Sequence, residues 1–207
     1  MSKVFVSVGV SLDGYIAGPN GGPTNPLGDG GTCIHQWMYA TRSFMSHLGN
    51  GDGETGTDND VVETLFNRAG AHIIGKRMFN EGETNWPENA PFGAAVYVLT
   101  QQKRDPWERL GGTTFYFTNE DIYAVLQKAK QDAGTKDVRI TGGANIITQY
   151  LNAGLVDELT LHIAPIMMGN GVRLFDGVDK TKFSLDVKGV INSNLVTHIT
   201  YNVLKQK

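Results

Sequence analysis

The stretch "DVRITGGANIITQYLNAGLVDELTLHIA", from Asp137 to Ala164, constrains the fold more than any other part of the chain. Two adjacent glycines, Gly142 and Gly143, stand between an apolar β-branched run and a run with helical spacing, where they weaken both elements. The helical run ends near Gly154, a residue type suited to the left-handed position that follows a helix. A further β-rich run, "ELTLHIA", comes next. Strand, helix and strand in this order predict a unit whose sheet neighbours run parallel, and so an α/β fold.

The rest of the chain agrees with that plan. "KVFVSVGVS" is too dense in apolar side chains for a half-exposed strand, which predicts a central one ending near Ser11. The turn-rich "PNGGPTNPLGDGG" follows, and "CIHQWMYATRSFMSHL" predicts an irregular helix without one clean apolar stripe. In "DVVETLFNRAGA", Asp60 and Glu63 have the spacing of a capping box, and Val62, Leu65, Phe66 and Ala69 share one helix face. "AHIIGK", "AVYVLT" and "TFYFT" predict three strands. A helix over Glu120 to Asp132, capped by Thr118 or Asn119, precedes "DVRIT". At the end, "FSLDVKGVI" alternates Phe183, Leu185 and Val187, and "LVTHITYNVL" alternates Ile199, Tyr201 and Val203, which predicts a closing antiparallel hairpin.

Composition removes several classes of function. The chain has 207 residues, 40% of them hydrophobic, which suits one sizeable domain. Its formal net charge is −3 and its 18 Lys and Arg residues form no basic block, so neither a nucleic-acid groove nor an anionic membrane surface is suggested. No window reaches the roughly 20 apolar residues of a membrane span, and no signal-type stretch precedes the first charges. With Cys33 as the one cysteine, no disulfide framework is available, and a cytoplasmic location is expected. Cys33 and His35 make one Cys-x-His pair, and the other histidines lack metal-ligand spacing, so no metal site is expected. Serine-hydrolase, P-loop and G-x-G-x-x-G dinucleotide motifs are missing. Asp157 and Glu158 read as a salt-bridged or solvated strand start. His162, out of phase with Leu159, Leu161 and Ile163, reads as a hydrogen-bonded histidine on the opposite sheet surface.

The glycine pair admits two explanations. Bare amides at a helix start, beside the positive end of its dipole and beyond the carboxyl ends of the strands, suit a diphosphate. The same pair could instead let the helix pack closely on its strand. Local chemistry leaves both open.

"VSLDGYIAGPNG", "GKRMF" and "GGANIITQYLNAGLVDELTLHIAPIMMGNGVRLF", in this order, resemble the dihydrofolate-reductase-like superfamily, in the branch of the C-terminal reductase domain of riboflavin biosynthesis proteins. The resemblance implies one domain over 1–207 with a Gly-rich insertion at about 19–57. It implies a three-layer fold with an eight-stranded, mostly parallel twisted sheet, helices on both faces, NADPH as cofactor, and a homodimer. By the same resemblance, Gly142, Gly143, Ala144, Asn145 and Ile146 line the diphosphate and the nicotinamide. Gly75, Lys76 and Arg77 approach the adenosine half, Thr100 lies near its ribose phosphate, and Lys103 and Arg104 could neutralise a 2′-phosphate. Ala17 and Gly18 let the nicotinamide near the backbone.

Asp13 matches the aspartate of the first-strand loop that faces substrate. It could accept substrate hydrogen bonds or, with a raised pKa, deliver a proton; alternatively it closes an Asp-Gly turn on its own backbone. Trp37 and Tyr39, with His35 and Phe44, could floor a pocket for a flat heterocycle or pack on the sheet. Two departures stand out: dihydrofolate reductases proper carry an acidic residue on the helix after the first strand, and 33–48 has no carboxylate; nor is a riboflavin-type ribose-phosphate clamp evident. The leading expectation is therefore an NADPH-dependent reductase acting on a C=N or C=O group of a small heterocyclic or sugar-derived substrate. A true dihydrofolate, pterin or riboflavin-pathway reductase, or a non-catalytic dimeric nucleotide-binding protein, are the alternatives.

Overall fold

The computed structural model describes residues 2–206. The apolar run at the start forms β1 (Val4–Ser11), followed by the short β2 (Tyr15–Ala17). The segment expected to be one irregular helix is three pieces: a 3-10 turn over Gly31–His35, then α1 (Gln36–Tyr39) and α2 (Arg42–His47). Next come α3 (Thr57–Arg68), β3 (Ala69–Gly75), α4 (Lys76–Glu83), β4 (Ala95–Leu99), the two-residue β5 (Trp107–Glu108) and β6 (Thr114–Thr118). The chain continues with α5 (Ile122–Ala133), β7 (Asp137–Gly142), α6 (Ala144–Asn152), β8 (Glu158–Ala164), β9 (Val172–Arg173), β10 (Phe183–Asn192) and β11 (Thr197–Lys205).

Nine strands form one sheet in the order β10-β11-β8-β1-β7-β3-β4-β6-β5, one strand more than the resemblance implies, and β2 pairs with β9 separately. Pairings among β8, β1, β7, β3, β4 and β6 are parallel, and β5, β10 and β11 run antiparallel to their neighbours. β1 is central, as its apolar density predicts, because both its faces are covered.

Alternation along the strands divides the molecule. Val4 and Val6 of β1, Val138 and Ile140 of β7, and Ala71 and Ile73 of β3 face α5 and α6, where they meet Val125, Leu126, Ala129, Ile147 and Leu151 in the largest core cluster. Phe5 faces Leu65 of α3, and Val96 and Val98 face Phe79 of α4. Helices therefore cover both faces, giving three layers.

Three local expectations need correction. Asp60 is inside α3 rather than its cap, since its N–H already donates to Gly56 O at 2.9 Å. The carboxylate of Asp121, not Thr118 or Asn119, caps α5 by accepting from the N–H groups of Tyr123 and Ala124. The hairpin forms, yet β10 is the outermost strand with no helix above it, so Leu185, Val187 and Val190 stay exposed while Phe183 alone reaches the core. The end of α6 matches expectation: Gly154, at φ +65°, donates to Leu151 O, and Leu155 donates to Tyr150 O, the Schellman arrangement.

Candidate active site

The sheet opens at its centre. β1 and β7 pair only from Val4↔Val138 to Val6↔Ile140, whereas β1 stays on β8 as far as Ser11↔Ala164. Beyond Val6 the two parallel strands part, leaving a cleft at their carboxyl ends, the place where open α/β sheets bind ligands. Gly142 and Gly143, joined by a cis peptide, form its β7 rim. Gly142 has φ +143°, which favours glycine, and a Cβ built there would touch only Met78 Sδ at 3.4 Å. A Cβ built on Gly143 meets no atom within 4 Å. Close packing of α6 on β7 therefore does not explain Gly143; the space above it is free, at the N-terminus of a nine-residue helix.

A groove of about 950 Å³ lies beside the first turn of α6 and crosses the ends of β4 and β6, lined by Lys76, Thr100, Asn145, Ile146 and Gln149 among others. Four residues predicted to hold a cofactor, Lys76, Thr100, Asn145 and Ile146, thus share one surface. Others do not join them. Gly75 has a packing role, because a Cβ there would lie 2.9 Å from Ile146 Cγ1. Arg77 turns away to pair with Glu81 at 2.7 Å. Arg104 pairs with Glu83 at 2.6 Å and lies over the Phe79, Trp107 and Phe117 rings, and Lys103 is exposed without lining the groove. Gly18 leaves no room for a nicotinamide beside it: a Cβ there would overlap Asp29 O, so the chain's own 19–57 segment fills the space, and the neighbouring Ala17 is buried.

Asp13 is a fastener. Its carboxylate accepts from Met168 N at 3.0 Å, Gly169 N at 2.7 Å and Ser11 Oγ at 2.6 Å, tying the loop after β1 to the loop after β8. The Met168 amide first, with the Ser11 hydroxyl, lowers its pKa to about 2. Asp13 is thus held in its ionised, accepting form. Trp37 is buried among Val62 and Val196, with its ring 4.7 Å from His162 and 4.9 Å from His198, so it packs rather than faces a ligand. Tyr39 is half-buried against Phe44, their centroids 5.2 Å apart.

The sheet face beneath α1 and α3 holds what the sequence did not disclose. Ser7 Oγ lies 2.7 Å from His162 Nε2, His162 Nδ1 lies 2.6 Å from His198 Nδ1, and His198 Nε2 lies 3.0 Å from Asp58 Oδ1. One tautomer set satisfies all three contacts: Ser7 donates to His162, His162 to His198, and His198 to the carboxylate. Burial keeps His162 well below its ordinary pKa, with His198 a lesser cause. A cavity of about 540 Å³ adjoins this relay, with Ser7, His162, His198, Asp60 and Glu158 in its wall. Glu158, its side chain 2% exposed, is bound by Lys3, Arg68 and Lys188. Strand alternation does place His162 on this face; nothing in the sequence joins it to Ser7, His198 and Asp58. Residues 33–48 carry no carboxylate, as expected; the carboxylates over this face, Asp58 and Asp60, come from the first turn of α3. Among the described residues no cluster of His, Cys, Asp or Glu could hold a metal ion.

With this geometry in view, comparison with known proteins is direct. Residues 2–199 match the model of the RibD C-terminal domain. The chain belongs to the RibD C-terminal domain family. YyaP, an uncharacterized protein of Bacillus subtilis, is 38% identical over 205 residues, covering 97% of this chain and 89% of its own length. The structure of a putative riboflavin biosynthesis protein from Shewanella sp. PV-4 superposes with a TM-score of 0.66 at 20% identity, covering 99% of this chain and all of that one. A dihydrofolate reductase from Enterococcus faecalis, complexed with NADP(H) and RAB-propyl, superposes with a TM-score of 0.52 at 15% identity, covering 97% and 96% of the two chains. RibD C-terminal domains thus share the dihydrofolate-reductase-like fold seen here. No helix among the described residues is long and apolar enough to cross a membrane.

Proposed function

We propose that the protein is an NADPH-dependent reductase that delivers a hydride to a C=N or C=O carbon of a small heterocyclic or sugar-derived substrate. The observation that carries this reading is the free space over Gly143 at the rim of a cleft, with a groove lined by Lys76, Thr100, Asn145 and Ile146 beside the same helix start. Main-chain amides at the start of α6 suit a diphosphate, and the groove beside them is the place for the adenosine half. Bound there, the reduced nicotinamide would supply the hydride. The protein's own part is alignment, exclusion of water and proton supply. Asp13 holds the two substrate-side loops together and offers an acceptor, and water entering the cleft supplies the proton.

Titration with NADPH and with NADH, followed by Trp fluorescence, tests the reading. Saturable NADPH binding that a folded Gly143→Asp variant loses is expected, because a carboxylate would replace the diphosphate's space with like charge. Equal binding by parent and variant defeats it. NADPH binding with no oxidation across pterins, aminopyrimidines and carbonyl compounds would leave a non-catalytic nucleotide-binding protein.

The proposal includes a homodimer. β10 is an outer strand whose Leu185, Val187, Val190 and Ile191 are each at least 41% exposed, an apolar edge that a second copy would cover. A Val187→Asp substitution is expected to move a dimer to monomer elution in size exclusion; a parent that already elutes as a monomer refutes it.

A further inference from the structure

Three carboxylates on the sheet face beneath α1 and α3, those of Asp137, Glu158 and Asp58, are already committed. Asp137 accepts from Arg68 Nε and from Lys3 N, each at 2.7 Å. Glu158 has its three cations, and Asp58 holds His198. Arg139, on the same face of β7 as Asp137, has no ion-pair partner among the described residues. One Nη2–H donates to Ser7 O at 2.8 Å, and its Nε is sealed from solvent without any acceptor. A buried guanidinium left in this state is costly unless something else supplies the counter-charge.

The surroundings do not supply it. In register Arg139 lies between Phe5 of β1 and His72 of β3. His35 rests on Gly9, where a Cβ would come within 2.8 Å of its ring, and His162 stands on β8. Burial first, and the charge of Arg139 second or third, keeps His35, His72 and His162 neutral. The guanidinium is thus surrounded by groups that cannot become anions. Ser7, which it holds, is the first residue of β1 beyond its last pairing with β7, so Arg139 stands at the root of the cleft. The residue as a whole remains part-exposed.

We propose that the root of the β1–β7 cleft binds a planar organic anion, a carboxylate or an ionised ring lactam, on the Arg139 guanidinium. The planar fork of Arg suits two coplanar oxygens, and Lys would not reproduce it. This assigns the substrate of the reductase reading a negative charge, and it rests on that reading only for the hydride donor beside it. A neutral ring of the same shape would leave the cation unpaired, so discrimination follows from charge.

Matched probes test it: orotate against uracil, and benzoate against benzamide, each at millimolar concentration, read by thermal unfolding and Trp fluorescence. Orotate and benzoate are expected to raise the Tm of the parent and their neutral partners to leave it unchanged. Arg139→Met is expected to unfold at the parent's temperature or above, since it removes an unpaired buried charge, and to bind the anions at least about tenfold more weakly. Arg139→Lys, which keeps the charge, is expected to retain part of the shift and serves if the Met variant does not fold. Equal shifts from anionic and neutral probes, no shift from any probe, or an unchanged shift in Arg139→Met overturns the proposal. NADPH titration of the same proteins separates the two readings: an Arg139-dependent anion shift in a parent that ignores NADPH keeps the anion site and removes the reductase.

Discussion

The two faces of the central sheet are built on opposite terms. Beneath α5 and α6 the strands present Val, Ile, Leu and Ala, and the fully buried side chains include Ile73, Ile140, Ile147, Leu151 and Leu159. Beneath α1 and α3 the same strands present Ser7, His72, Glu158 and His162, all buried, and the part-exposed Arg139. Apolar burial of the first kind returns about 25 cal/mol per Å², whereas a buried polar group contributes only when its hydrogen bonds are made. The difference teaches that the largest apolar cluster lies on one face, while the other divides its area between apolar clusters and groups that can serve chemistry.

A deletion on each face measures that contrast. Leu151→Ala removes a fully buried side chain from the α6 layer and is expected to cost about 3 kcal/mol, while leaving ligand binding in the cleft unchanged. Urea unfolding of parent and variant gives the number. A loss under about 1 kcal/mol would mean that the α6 layer collapses easily and is not the stabilising face.

On the polar face the corresponding test is Glu158→Gln. Lys3 and Lys188 stay 51% and 46% exposed at the side chain and can turn to water, so the loss falls short of the usual cost of breaking a buried pair, at about 2 kcal/mol. Opposing its burial, hydrogen bonds from Lys188 and Lys3 and the charge of Arg68 hold the Glu158 carboxyl at about 2, below its ordinary 4.5. A depressed carboxyl stabilises the fold above its unfolded pKa, and this contribution disappears as pH falls from about 4.5 to about 2. Acid unfolding of Glu158→Gln should therefore be flatter in that window than that of the parent.

This asymmetry also marks how far the sequence could be read. The apolar face was legible, because the apolar density of "KVFVSVGV", the β-branched run "DVRIT" and the helical spacing of the run after Gly143 directly encode burial. The Gly142–Gly143 rim was legible as a strand-to-helix junction with bare amides. The polar face was not, since Ser7 meets His162 across 155 positions and His198 meets Asp58 across 140, and local spacing carries no trace of such contacts. The loop-tying part of Asp13 was hidden for the same reason: its anchors, Met168 and Gly169, come from the far end of the chain. Lys103 and Arg104 stand side by side in sequence, yet Arg104 is held by Glu83 and three aromatic rings.

Smaller per step is the titration of the buried histidines. Desolvation lowers His35 to about 4 and His72 to about 3, and Arg139 adds to both. Their unfolded value is near 6.5, so below it the unfolded chain takes up protons that the native face refuses. Stability is then complete above about pH 6.5 and falls by about 1.4 kcal/mol per pH unit for each such histidine until its folded pKa is reached. Replacing His72 with Gln should lower the slope of Tm against pH between about 6 and 4.5; an unchanged slope would show that His72 is not sealed.

The smallest expected change in stability lies at the rim between the faces. Gly142 has φ +143°, a conformation that an L side chain resists, so Gly142→Ala should cost about 1 kcal/mol or more. Gly143 has φ −78° and free space at its missing Cβ, so Gly143→Ala should unfold within about 0.5 kcal/mol of the parent. A methyl group there nevertheless occupies the space proposed for the diphosphate, so NADPH binding should weaken by about tenfold while the fold is untouched. The pair separates a glycine required by the backbone from one whose bareness serves a ligand. If Gly143→Ala were instead as unstable as Gly142→Ala and bound NADPH normally, the second glycine would belong to the folding side of the contrast.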